Sequence, residues 1–340
     1  MKTVAIVIPC LNEKDYIFRC LQSILNQSYP TDLITTFICD GGSDDGTIDI
    51  INQFSNLNNT SSNFQILHNV NKTTPYALNL GIKASTSDIV IILGAHSELD
   101  KDFVSNNIQT FEIDNSIMCT GGVLQNVFEN KLSQVIGAAM SSSFGVGNAH
   151  FRTGNKNGFV DTVAFGAYKK EVFDKVGLFD EELIRNQDDE FNYRLTKTGF
   201  KIYLNHSIKC NYFVRASFKN LFKQYFQYGY WKVFVNKKHK AITTIRQLIP
   251  LFFVLYLLFL SASIFINTKV FFGLSIFGVI YSLLAIFFGL RCKHISFFNR
   301  FLVIYTFFIL HLSYGFGYLK GIVHFFILNK QIKKHETLSR

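Results

Sequence analysis

Apolar and polar residues alternate in short blocks through the first hundred positions, and long unbroken apolar runs replace them after residue 247. Thr3–Ile8, Leu33–Cys39, Phe64–His68 and Asp88–Leu93 are runs of β-formers bounded by turn residues and predict strands. Glu13–Asn26, Thr47–Phe54 and Pro75–Ala84 lie between them and predict helices. Strands alternating with helices predict an α/β fold with a doubly wound, mostly parallel sheet. Ser55–Asn63, rich in Asn and Ser, is expected to be a surface loop. Phe144–Gly158 carries four glycines among His150, Arg152 and Lys156. It reads as a long irregular loop, either solvated or closing over a phosphorylated substrate.

The later pattern is different. Leu248–Ile266 and Val270–Leu290 are nearly uncharged and have the roughly twenty residues a membrane helix needs. Phe301–Leu319 is a third candidate span. Before them, Ser217–Lys240 mixes Phe218, Leu221, Phe222, Tyr225, Phe226 and Trp231 with Lys219, Lys223 and Lys232. Aromatic and basic residues at helical spacing predict a helix lying in the membrane interface, or one packed on the soluble part. The expected organisation is a cytosolic domain over 1–215, an amphipathic region over 216–247, membrane helices over 248–328 and a basic tail over 329–340.

Composition sharpens this picture. The 37 phenylalanines and the low charged fraction of 17% are concentrated effects of the last third. The net charge of +10 would suit nucleic acid. However, Lys232, Lys237, Lys238, Lys240 and Arg246 crowd before the first span, and Arg291, Lys293 and Arg300 follow the second. That is the pattern of cytoplasmic flanks facing anionic lipid, so the expected partner is a membrane and not nucleic acid. A third span would place Lys330, Lys333, Lys334 and Arg340 on the far side, against that tendency, and Lys320 interrupts its apolar run. The first apolar run stops at Pro9 and reads as a strand, not a signal peptide. Six cysteines without a C-x-x-C pair suit reduced thiols and argue against zinc and disulfides. A multi-pass protein of the inner or plasma membrane, with its first domain in the cytoplasm, is expected.

Candidate chemistry sits at strand ends. No P-loop is present, and no G-x-G-x-x-G follows a strand, which disfavours an NAD enzyme. Gly317 and Gly321 fit helix packing instead. The first strand runs into Pro9-Cys10-Leu11-Asn12-Glu13 and the second into Asp40-Gly41-Gly42-Ser43-Asp44-Asp45-Gly46-Thr47. Ligands of open α/β sheets bind at such ends, and the ligand implied is a nucleotide sugar. Asp40 can accept from a base N–H or a ribose hydroxyl, whereas Asp44 is placed to cap the helix starting near Thr47. His96, in Gly94-Ala95-His96, is a candidate ligand for a divalent ion. Gln187-Asp188-Asp189-Glu190 opens a helix, where acids are favoured by capping and dipole. There Asp188 is the candidate general base for sugar transfer.

These motifs, with Asn71 through Asn79 to Gly81, Phe191-Asn192-Tyr193-Arg194-Leu195 and Gln224 to Lys232, resemble the family 2 glycosyltransferases of GT-A fold over roughly Lys2 to Lys240. They are most similar to the succinoglycan-type exopolysaccharide glucosyltransferases of bacteria. The resemblance implies inverting transfer of a sugar, glucose or similar, from a UDP-sugar to a lipid-linked saccharide acceptor in polysaccharide biosynthesis. Pro9, Glu13 and Asp40 match positions that hold uracil and ribose, and Asn12, Asn71, Asn79, Gly94 and Ala95 lie in the same nucleotide-sugar motifs. His96 falls on the metal-binding acid of D-x-D, which implies Mg2+ or Mn2+. Asp188 falls on the catalytic base. Arg152, Gln187, Gln224 and Trp231 are candidate contacts to the acceptor or the diphosphate. Gly94 stands where the first acid of D-x-D is usual, leaving Glu98 or Asp100 as substitute ligands. Gln187 stands where a Glu is usual. The competing reading is a catalytically weak relative that binds nucleotide or saccharide and scaffolds other polysaccharide-synthesis proteins. Gln224 and Trp231 echo the Q-x-x-R-W of processive synthases, but Tyr230 replaces the Arg and the spans are few, which favours single-sugar addition.

Overall fold

A computed structural model describes residues 1–58, 63–154, 156–292 and 294–330. Their contacts form two compact units: Met1–Asn126 with His150–Phe213, and Val127–Ala149 with residues 214–330. Lys293, Lys333, Lys334 and Arg340, expected to set topology, lie outside the described residues.

The first unit begins β1 (Val4–Cys10), α1 (Ile17–Leu25), β2 (Ile34–Asp40), α2 (Thr47–Leu57), β3 (Phe64–His68), α3 (Thr74–Ala84) and β4 (Ile89–Ile92). It continues with β5 (Ser97–Leu99), α4 (Phe103–Phe111) and β6 (Ile117–Val127). After α5 (Lys131–Met140) and α6 (Ser143–Val146), which belong to the second unit, come α7 (His150–Thr153), β7 (Gly158–Val160) and β8 (Ala164–Lys169). The unit closes with α8 (Glu171–Val176), α9 (Gln187–Lys197) and β9 (Lys201–Phe213). The described strands form one sheet in the order β3-β2-β1-β4-β8-β6-β9-β5, with β7 on β9.

The predicted parallel half is present. β2 and β4 flank β1 in parallel, and β3 lies parallel to β2. β8 then runs antiparallel to β4, and antiparallel strands extend the sheet. β1 is an unbroken apolar run because both faces of the sheet are covered. Val4, Ile6 and Ile8 pack with α1, α2 and α4, and Ala5 and Val7 pack with α3, α8 and α9. α3 approaches so closely that a Cβ on Gly81 would overlap the Val7 side chain.

Two expectations change. α1 starts at Ile17 instead of Glu13, whose carbonyl accepts from Tyr16 N (2.9 Å) and Ile17 N (2.8 Å). α2 runs into the expected loop as far as Leu57, while residues 59–62 lie outside the described ones. Phe144–Gly158 is not one irregular loop. It carries α6 and α7, with Asn155 outside the described residues, and Phe144 packs on Tyr281, Phe288, Phe307 and His311 within the second unit. An aromatic ring with four such partners is anchored, whatever its flanking glycines allow.

The second unit adds α10 (Phe218–His239), α11 (Ile249–Ile266), α12 (Thr268–Leu290) and α13 (Phe297–Ile322), the last prolonged by a π-helical turn over Val323–Ile327. Three helical segments, Ile245–Ile266, Thr268–Leu290 and Phe297–Ile327, are long and apolar enough to cross a membrane. α10 is amphipathic in its first half only. Lys219 and Lys223 are exposed, but Lys232 is fully buried, its Nζ 3.2 Å from Thr244 Oγ1. α10 also packs closely on α13. A Cβ on Gly317 would overlap the Phe226 carbonyl oxygen, and one on Gly321 would lie 2.8 Å from that of Tyr230. Small residues let backbones meet in this way, as the glycine spacing predicts.

Candidate active site

The carboxyl ends of β1 and β2 are in register, with Cys10 opposite Asp40, and Asp40 in turn is opposite His68 of β3. The loops leaving β1 and β2 are laced together. Gly41 N donates to Cys10 O (2.8 Å), Asn12 N to Ser43 Oγ (2.8 Å), Asp44 N to Asn12 Oδ1 (2.9 Å) and Glu13 N to Thr47 Oγ1 (2.8 Å). Asn12 therefore braces the loops. Asp40 is buried, and its carboxylate accepts from Gly42 N (2.8 Å), Ser43 N (3.1 Å) and Ser43 Oγ (2.5 Å). These bonds fix the carboxylate and shape the glycine turn around it. The N-cap of α2 is Gly46 and not Asp44, and Asp45 just before it accepts from Thr47 N (3.0 Å) and Thr47 Oγ1 (2.5 Å). Burial alone would raise its pKa, but the bonds from Thr47 and Lys14 N hold it below the usual aspartate value.

Beyond β4, Ala95 is buried in the core and His96 is partly exposed. His96 Nδ1 lies 3.5 Å from Glu13 Oε1, and the ring meets Tyr16 and Tyr212 edge-on. The Arg152 guanidinium lies over the same Tyr212, 5.0 Å from its centroid. The acid beside His96 is thus Glu13. Glu98 accepts from Asn211 Nδ2 (3.4 Å) and Asp100 from Asp102 N (3.2 Å), and among the described residues no group of three or more His, Cys, Asp or Glu is arranged to hold a metal. An imidazole and one carboxylate do suit a hard divalent cation that keeps its remaining positions for phosphate oxygens and water.

β8 starts where β4 ends, because the two strands are antiparallel. Tyr168 of β8 lies over Gly166, and its hydroxyl donates to Asn192 Oδ1 (3.0 Å). Asn192 Nδ2 donates to Thr162 Oγ1 (3.0 Å), just ahead of β8. This amide ties α9 to β8 and to the residue just ahead of it, and Asp188 lies one turn earlier on the same helix. Burial drives the Tyr168 pKa well up, with the nearby charges of Cys119 and Asp188 adding to it. Asp188 Oδ1 also accepts from Asp189 N (2.9 Å).

Backbone conformation marks the same edge. Among the described residues of this unit, Asn12 (φ 55°), Lys72 (φ 59°), Phe165 (φ 49°) and Asn186 (φ 63°) are the non-glycine residues with positive φ. Such conformations persist only where surroundings over-determine them, and they concentrate at functional sites. Asn12 precedes Glu13, and Asn186 precedes Gln187 and Asp188. The Phe165 ring would lie 3.2 Å from a Cβ on Gly94, so ring and glycine are matched. The Lys72 ammonium would lie 3.9 Å from a Cβ on Gly42. Lys72 was not singled out from sequence. Its signal was a lysine just past the carboxyl end of β3.

Other expected residues fare differently. Pro9 lies on β1 opposite Cys39, and Asn71 is exposed in the turn after β3. Asn79 has a structural task in place of a ligand contact. Its amide donates to Phe179 O and Glu181 Oε1 and accepts from Phe179 N, each at 2.9 Å. Gln224 and Trp231 belong to the second unit. Gln224 Nε2 donates to Tyr228 Oη (2.8 Å), and Trp231 is buried among Tyr230, Phe234 and Phe325.

Known proteins are similar to this chain in sequence and fold. Residues 5–177, about half of the chain, match the family Glycosyl transferase family 2. The chain is 33% identical over 328 residues to the dolichyl N-acetyl-alpha-D-glucosaminyl phosphate 3-beta-D-2,3-diacetamido-2,3-dideoxy-beta-D-glucuronosyltransferase of Methanococcus voltae, covering 95% of this chain and 98% of that one. It is 29% identical over 253 residues to the succinoglycan biosynthesis protein ExoA of Rhizobium meliloti (strain 1021), covering 72% and 74%. In fold it is similar to the mannosyltransferase PcManGT from Pyrobaculum calidifontis, solved in complex with GDP-Man and Mn2+ (TM-score 0.68, 16% identity, 94% of this chain and 87% of that one). Family match, near full-length relative and GT-A neighbour agree: the chain belongs to glycosyl transferase family 2 and is a glycosyltransferase.

Proposed function

We propose that the protein transfers a sugar from a UDP-sugar, with inversion, to a saccharide carried on a membrane lipid. The reading is supported by Asp40 at the carboxyl end of β2, His96 just beyond the carboxyl end of β4, and Asp188 on the helix that Asn192 ties to β8 of the same sheet. The uridine lies by Pro9, Glu13, Asp40 and Asn71, with Lys72 close to Gly42. Asp188 takes the proton of the acceptor hydroxyl. The hydroxyl oxygen then forms its bond to the anomeric carbon as the carbon–oxygen bond to the diphosphate breaks, and the diphosphate leaves with that electron pair. Arg152 supplies positive charge toward it. His96 and Glu13 are the residues that would hold a divalent ion, Mg2+ or Mn2+, which when bound neutralises charge on the diphosphate.

The acceptor follows from the anchor. A chain with three candidate spans keeps its catalytic unit close to lipid, and the relative from Methanococcus voltae acts by name on a dolichyl-phosphate-linked sugar. The catalytic unit faces the cytoplasm of a multi-pass protein, because cations crowd before the first and after the second span.

The test is transfer by the purified full-length chain from a panel of nucleotide sugars to a lipid-linked saccharide. Asp188→Asn abolishes most transfer and leaves UDP binding nearly unchanged. Transfer at the wild-type rate in that variant removes Asp188 from the mechanism. His96→Ala makes activity less dependent on added Mn2+, and full wild-type activity in chelator would refute the metal role.

A further inference from the structure

Gln187 opens α9 directly before Asp188 and follows Asn186 with its φ of 63°. Its Oε1 is buried and has no hydrogen-bond donor among the described residues. Buried acceptors are nearly always satisfied, so an exception calls for an explanation. Neighbouring polar groups on the helix are satisfied within the protein. Glu190 takes two bonds from Arg194 (2.7 and 2.9 Å), and Asn192 bridges Tyr168 and Thr162. Gln187 presents an acceptor oxygen with nothing to receive, at the point where the reacting sugar is expected.

We propose that Gln187 Oε1 accepts a hydrogen bond from a hydroxyl of the sugar bound beside Asp188 and so selects for a sugar that carries that hydroxyl. The proposal rests on the reading of Asp188 as the base. A carbonyl oxygen needs a donor, which a sugar hydroxyl offers and an ionised diphosphate lacks. A site with a buried acceptor strongly rejects an analogue that leaves it unpaired, so one amide can read one hydroxyl.

The test compares Gln187→Leu, similar in size but without an acceptor, with Gln187→Glu, which keeps an acceptor oxygen. Full-length protein is assayed for kcat/KM with UDP-sugars and with lipid-linked saccharides, each beside its deoxy analogues, both in transfer and in hydrolysis without acceptor. Thermal unfolding of each variant is followed alongside. Gln187→Leu lowers kcat/KM for transfer about tenfold and erases the preference over the deoxy analogue, with an unchanged or raised unfolding midpoint. Gln187→Glu regains most of the loss. A fall in hydrolysis too assigns the hydroxyl to the donor sugar, and a fall in transfer alone assigns it to the acceptor. Wild-type kcat/KM in Gln187→Leu overturns the proposal. So does a joint loss of activity and stability, which would make the amide structural. Asp188→Asn is measured in parallel: full turnover there defeats the base assignment, a result independent of the Gln187 outcomes.

Discussion

The two units contain similar apolar side chains and use them in opposite ways. In the α/β unit the central strand is withdrawn from the surface: Val4 through Ile8 are fully buried, on alternating faces of β1. In the helical unit Phe265 is 90% exposed and Phe272 70%, and only 6% of the most apolar window of α12 is buried. The first unit is a water-soluble core held by burial of apolar area. The second leaves most side chains of α11 and α12 outward, as suits helices long and apolar enough to cross a membrane, and buries apolar groups between α10 and α13. Its helices meet through glycines, with Gly317 against Phe226, Gly321 against Tyr230 and Gly289 against Ile304. Chemistry-bearing carboxylates follow the same divide. From Val214 to Lys334 the sequence has no Asp or Glu, and the acids of the candidate site all lie in the α/β unit.

Several substitutions would break or sharpen this contrast. The largest effect is expected at Asp188→Asn, which should lower turnover by about two to four orders of magnitude without shifting thermal unfolding. Wild-type turnover would move the chemistry elsewhere. Next, Ile6→Ala should destabilise the α/β unit by about 2–5 kcal/mol in denaturant titration. Phe272→Ala should change the stability of the helical unit by no more than about 0.5 kcal/mol. Equal losses at the two sites would erase the distinction between cores.

Gly317→Ala should cost the helical unit about 1–3 kcal/mol, because the added carbon overlaps a backbone oxygen. Gly273→Ala, with open space around it, should be neutral in the same detergent unfolding assay. A harmless Gly317→Ala would refute close approach of α10 and α13. The smallest effect is expected at Asp45→Ala, which removes the bonds to Thr47 and should cost about 1 kcal/mol. Because the folded state lowers the Asp45 pKa, its contribution is fully present above the ordinary aspartate value and is lost as pH falls through the lowered one. The stability difference between wild type and Asp45→Ala should therefore shrink in acid. A constant difference across that range would show that the carboxylate charge is not what stabilises the turn.

Much of this protein was legible in its sequence. The parallel strands, the helices between them and the three apolar spans follow from periodicity, a local property that neighbouring residues express without help. The motifs at strand ends were legible for a related reason: a parallel strand presents its carboxyl end to the ligand edge, so position in the chain predicts position in space. The individual duties of side chains were not. Asn79 looks like a ligand residue in sequence, yet residues one hundred positions away consume its amide. Glu13 became the neighbour of His96, and Lys72 came close to Gly42, only when the loops after four separate strands converged. Lys232, expected on the polar face of α10, is buried beside Thr244, a residue twelve positions on. Periodicity determined which elements form and which solvent each unit suits. Tertiary structure alone decided which polar groups meet, because hydrogen bonds and close helix contacts depend on ångström-scale placement of residues far apart in the chain, and no local pattern encodes that distance.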